Sequence, residues 1–139
     1  MNAKSYWIAT ALVAGMYLMT GAMDLAHAPP MADGMARLGY PPYVMSLLGV
    51  WKILGAAALL APGLPRVKEW AYAGITFNLT GAAFSHAVSR DAAANVAVPL
   101  VLLGLAAISW ALRPQSRRLA GAVPAGGVPS GIPAAARGA

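Results

Sequence analysis

The sequence predicts an all-α membrane protein, a bundle of four transmembrane helices, and three observations carry that prediction. First, 59% of the 139 residues are hydrophobic and only 10% are charged, whereas a soluble domain usually carries about 25% charged residues. Second, the apolar residues fall in four blocks, at about residues 6–26, 44–61, 69–88 and 92–112. About 20 residues at 1.5 Å each cross a ~30 Å hydrocarbon layer, and every block approaches or reaches that length. Third, prolines, glycines and charges gather between the blocks, where a chain must turn. The length suits one domain.

The first block opens after Lys4 and closes on Ala26-His27-Ala28, which resembles the cleavage site of a secretion signal. The run is longer than a signal core, and Asp24 precedes the site, so the segment is expected to be retained as a span. A polar connection follows from Pro29 to about Pro42, and its prolines forbid one continuous helix across it. Tyr40 and Tyr43 suit anchors at headgroup level. The second block carries Lys52 near its middle and stops at Pro62-Gly63-Leu64-Pro65. Trp70 and Tyr72 open the third block, Ser89-Arg90-Asp91 joins it to the fourth, and the Ala/Gly/Pro-rich residues 115–139 read as a disordered tail.

Net charge is +6 and the pI about 10.2, yet nucleic acid is not an expected partner. The basic residues flank the apolar blocks, where they meet anionic headgroups, and form no stripe interleaved with exposed aromatics. Four spans place Lys4, Arg66, Lys68, Arg113, Arg117, Arg118 and Arg137 on one side and only Arg37 and Arg90 on the other. This positive-inside bias puts both termini in the cytoplasm of a multi-pass inner-membrane protein. The absence of cysteine removes disulfides, thiolate catalysis and cysteine metal sites together. No Walker loop, dinucleotide fingerprint, HExxH or Gly-x-Ser-x-Gly occurs either, so no autonomous catalytic motif is present.

A faint internal echo links Thr20-Gly21-Ala22 with His27 to Thr80-Gly81-Ala82 with His86. Two tandem helical hairpins would produce it, and so would chance among the small residues common in such helices. Gly81 and Ser85 form a small-xxx-small pair suited to close helix packing.

The runs Leu38-Gly39-Tyr40-Pro41, Leu48-Gly49-Val50-Trp51-Lys52 and Val67-Lys68-Glu69-Trp70-Ala71-Tyr72-Ala73-Gly74, followed by Gly81-Ala82 and Ser85-His86, resemble the DoxX-like family over roughly residues 15–114. The resemblance implies a small bacterial four-helix membrane protein. The family takes its name from a subunit associated with thiosulfate oxidation to quinone, so a quinone and redox-complex partner proteins are implied as candidates. It carries over no catalytic residues.

The site must therefore be sought in residues that violate the apolar blocks. An ionisable group at the centre of a span costs about 2.5–3.5 kcal/mol to insert. Lys52 either pairs with a carboxylate of a neighbouring span or binds an anion or quinone oxygen, and the two roles need not exclude each other. Asp24 lies about 5 Å below the outer end of its span and Lys52 about 12 Å below its own. A lysine stem can snorkel across the difference. His27, three residues after Asp24, falls on the same helical face. Asn78, Ser85 and His86 lie near one stripe of the third span. Asp24, His27, Lys52, Asn78, Ser85 and His86 are thus expected to converge as a ligand pocket in the outer half of the bundle. Water contact at the two histidines and a helix-to-helix bond at Asn78 are the plainer alternatives, and no metal spacing is present. Glu69 is read as a headgroup-level residue favoured by the helix dipole. Three roles remain open: binding a hydrophobic or quinone-like ligand within a redox-linked system, carrying a small solute, or acting as a non-catalytic assembly subunit. A homo-oligomer is compatible with each.

Overall fold

The computed structural model describes residues 3–120, so most of the expected tail, 121–139, lies outside the described residues. They form five α-helices and no strand: α1 (Ala3–Leu25), α2 (Pro29–Arg37), α3 (Pro42–Leu60), α4 (Pro65–Val88) and α5 (Ala93–Ala111), followed by a short 3₁₀ turn at Gln115–Arg117. The four long helices form a ring in which α1 packs on α3 and α5, and α4 packs on α5 and, most lightly, α3.

Three of the long helices bury a row spaced by three and four residues, the spacing of one helical face. On α1 the row includes Tyr6, Thr10, Val13, Tyr17, Gly21 and Asp24. On α4 it is Lys68, Tyr72, Ile75, Leu79 and Ala83. Met45, Gly49, Ala56 and Leu59 form the row on α3, and Lys52 occupies its missing middle position. Tyr17, Leu59, Tyr72, Leu79 and Ala106 are among the residues that close the core.

Among the described residues, α1, α3 and α5 are long and apolar enough to cross a membrane. At 24 residues α4 is the longest described helix, but beyond its charged first turns it also carries Thr76, Asn78, Thr80, Ser85 and His86, which thin its apolar run. Four helices of spanning character are therefore not all seen on apolarity alone.

Two further expectations change. The connection after α1 is helical from Pro29 to Arg37, because both prolines occupy its first two positions, where an amide hydrogen has no intrahelical partner to lose. The described chain also continues past residue 114, through the Gln115–Arg117 turn.

Close helix contact occurs at Gly21 and Gly49, not at Gly81. A methyl group on Gly49 would stand 2.8 Å from the Gly21 carbonyl oxygen, whereas one on Gly81 would meet nothing within 4 Å. The two Thr-Gly-Ala runs thus sit in unlike surroundings.

Candidate functional site

The Gly21–Gly49 contact lets α1 and α3 approach until their backbones nearly touch, and each glycine is followed three residues later by a charged group. Lys52 Nζ donates to Asp24 Oδ2 at 2.7 Å, with the Asp24 side chain only 5% exposed. The ammonium has two further N–H donors, and Asp24 is its one hydrogen-bond partner among the described residues. Desolvation of each ion is offset by the other.

This pair borders a chamber of about 550 Å³ at the end of the ring away from the N-terminus of α1, within the usual range for small-molecule sites. Asn78, Ser85 and His86 from α4 also line it, as do Tyr17, Arg37 and Tyr40. Tyr17 donates its hydroxyl to Asn78 Oδ1 at 3.0 Å across the ring. The hydroxyls of Tyr40 and Ser85 are 2.7 Å apart, so Tyr40 ties the α2–α3 connection to α4 in addition to standing near the surface. Met31, Gly34 and Met35 of α2 form part of the outer wall.

His86 is held from behind. The α4 helix ends with Arg90 in the left-handed region, and the Asp91 amide donates to the His86 carbonyl at 3.0 Å. That turn brings Asp91 Oδ2 within 2.8 Å of His86 Nδ1 while Oδ1 accepts from the Ala92 amide at 2.8 Å. The Ala92 amide, then the bonds from His86 and Asn95, hold the Asp91 carboxyl down at about 2, with a smaller contribution from the Arg37 charge. An ionised carboxylate can only accept, so Nδ1 of His86 carries a proton and Nε2 is the ring nitrogen turned away from Asp91.

Five of the six expected site residues therefore share one chamber. His27 does not. The α1 helix stops at Leu25, and His27 takes a left-handed conformation that closes the helix end. Its Nε2 lies 2.9 Å from Ser46 Oγ on the exposed side. Spacing missed Tyr17, Tyr40, Arg37 and Asp91. Tyr17 was within reach, since it falls on the α1 row of Gly21 and Asp24. Among the described residues no three His, Asp or Glu side chains gather as a metal site.

The opposite end of the ring, where α1 begins and α5 ends, has different chemistry. Lys68 and Arg113, expected at the headgroups, are 0% and 4% exposed. Lys68 Nζ donates to the carbonyls of Ala58, Leu59 and Ala61 at 2.6, 3.1 and 2.5 Å, capping the C-terminus of α3. Arg117 adds a bond to Leu59 O at 3.0 Å, and Arg118 caps α5 through Ala111 O at 2.9 Å. Glu69 is not a free headgroup-level residue: Oε1 lies 2.8 Å from Arg113 Nη1, and Oε2 accepts from Trp110 Nε1 at 3.0 Å. Between the two ends Ser109 Oγ sits 2.7 Å from both Thr10 Oγ1 and Tyr72 Oη, a buried hydroxyl network that fixes α1, α4 and α5 together.

A helical membrane protein with a largely apolar chamber bordered by a buried ion pair is the class these features define. The DoxX-like family model matches residues 8–109, and the chain belongs to the DoxX-like family. No curated protein and no solved structure matches it.

Proposed function

We propose that this protein is a four-span membrane protein that binds a small hydrophobic molecule with a polar, quinone-like head in its outer chamber. The observation that carries the proposal is the convergence of Lys52, Asn78 and His86 on one apolar-walled chamber beneath α2. A carbonyl oxygen would accept from the Lys52 ammonium, which Asp24 orients. The Asn78 amide and the Ser85 hydroxyl would fix the ring. His86 Nε2, backed by Asp91, would take a proton from a ligand hydroxyl.

In this reading α4 is the fourth span, its charged first turns lying at the membrane edge and neutralised by Arg113 and the α3 carbonyls. An even number of spans leaves both termini on one side, and the charge bias makes that side the cytoplasm of a bacterial inner membrane. The family supports a place in a redox-linked system, with a partner protein supplying or removing electrons. The test is binding of quinone analogues by purified protein in detergent, with lipid extraction to look for a co-purified quinone. Lys52→Met should abolish binding while Asp24→Asn/Lys52→Met stays folded. Unchanged analogue affinity in Lys52→Met would refute the assignment.

A further inference from the structure

A second cavity, of about 750 Å³, lies between α3 and α4, the least tightly packed neighbours in the ring. Tyr17, Leu48, Lys52, Phe77 and Asn78 line both this groove and the outer chamber, so the two meet at the Lys52 level. We propose that the groove seats an extended apolar tail, and that the ligand is a single-tailed amphiphile which enters sideways from the bilayer. The inference rests on the reading of the outer chamber as the head site.

Length and polarity support one occupant. The groove follows α3 from Leu48 to Ala58 and α4 from Asn78 back to Val67, about 15 Å at 1.5 Å per residue and so about half of a ~30 Å hydrocarbon layer. An extended chain of about ten to twelve methylenes spans that length. Among its lining residues the only charged group is Lys52, at the end shared with the chamber. Gly55 and Gly74 leave depth on the two walls, since a methyl group on either meets nothing within 4 Å. Trp51 and Trp70 stand beside the opening, 60% and 80% exposed, where lipid would surround them. The Lys52 end is thus suited to a polar head and the remainder to a tail continuous with the membrane interior.

The experiment uses the full chain in detergent and two probes with the same benzoquinone ring, one bearing a methyl group and one a ten-carbon alkyl tail. Gly74→Phe and Gly55→Leu fill the groove from opposite walls without reaching the chamber, and each is compared with wild type in the same detergent so that micelle partitioning cancels. Both variants should weaken the tailed probe about tenfold, roughly the effect of two displaced methylenes, and leave the methyl probe unchanged. Equal loss of both probes, no loss of either, or no binding of any tailed probe by wild type overturns the proposal. So does a change confined to the oligomeric mass in native mass spectrometry, which assigns the groove to a second copy. If the quinone ring fails to bind wild type but a ten-carbon fatty acid binds and is weakened by both variants, the groove stands and the quinone reading of the head site falls.

Discussion

Gly49→Ala tests whether the α1–α3 contact sets the position of the buried ion pair. The new methyl carbon would lie 2.8 Å from the Gly21 carbonyl oxygen and 2.8 Å from Leu25 Cγ, whereas ordinary contact begins at 3.4 Å. The difference requires α1 and α3 to part by about 0.6 Å, because backbone cannot rotate away as a side-chain tip can. Overpacking of this kind costs about 1–3 kcal/mol. Alanine recovers about 1 kcal/mol of helix propensity over glycine, which masks part of the cost, so the comparison must be with another glycine. Gly15→Ala and Gly104→Ala supply it, since neither new methyl meets anything within 4 Å. Thermal unfolding in detergent should place Gly49→Ala below these controls by an amount equivalent to about 1–3 kcal/mol, roughly 4 °C for each kcal/mol. The 2.7 Å Lys52–Asp24 bond should lengthen with it, so quinone-analogue binding should weaken in the same variant. A Gly49→Ala protein that melts with or above Gly15→Ala would refute the reasoning.

Three further outcomes follow from the geometry. Lys52→Met strands the nearly unexposed Asp24 carboxylate and should cost about 3 kcal/mol, most of it recovered in Asp24→Asn/Lys52→Met; denaturation midpoints of the three variants check this. Ser109→Ala removes the hydroxyl bonded to both Thr10 and Tyr72 and should cost about 1–3 kcal/mol, more than Tyr72→Phe, which leaves the Thr10–Ser109 bond in place. Asp91, whose carboxyl titrates at about 2 in the folded chain against about 3.9 unfolded, stabilises the fold fully above pH ~4. That contribution fades as pH falls through about 2, so the melting difference between wild type and Asp91→Asn should hold steady from pH 7 to about 4 and shrink below it.

Much of the architecture was legible because membrane spans are written as long apolar runs, and a charge within such a run is costly enough to name its own partner. Asp24 and Lys52 could be matched from depth alone for that reason. The α2 helix was not legible, since nine residues beginning with two prolines carry the same local signal as a turn. His27 was misplaced because helix periodicity was carried two residues beyond the point where the backbone turns left-handed. The Gly21–Gly49 contact was missed because a glycine faces equally well toward lipid, core or another backbone, and only tertiary packing decides which. Asp91 was passed over as a loop residue, its bond to His86 depending on how the loop returns.

The basic residues at the end of the ring where α1 begins have a double life. An unfolded chain presents Lys68, Arg113, Arg117 and Arg118 as free charges, of the kind that bias which end of a span is translocated. Once the helices assemble, Lys68 and Arg117 are bound to carbonyls at the end of α3, Arg118 to one at the end of α5, and Arg113 is paired with Glu69. These charges are then absorbed into the helix ends they stand beside. Reversing the chain after assembly would require these bonds to break together, so topology becomes locked by folding as well as by the lipid.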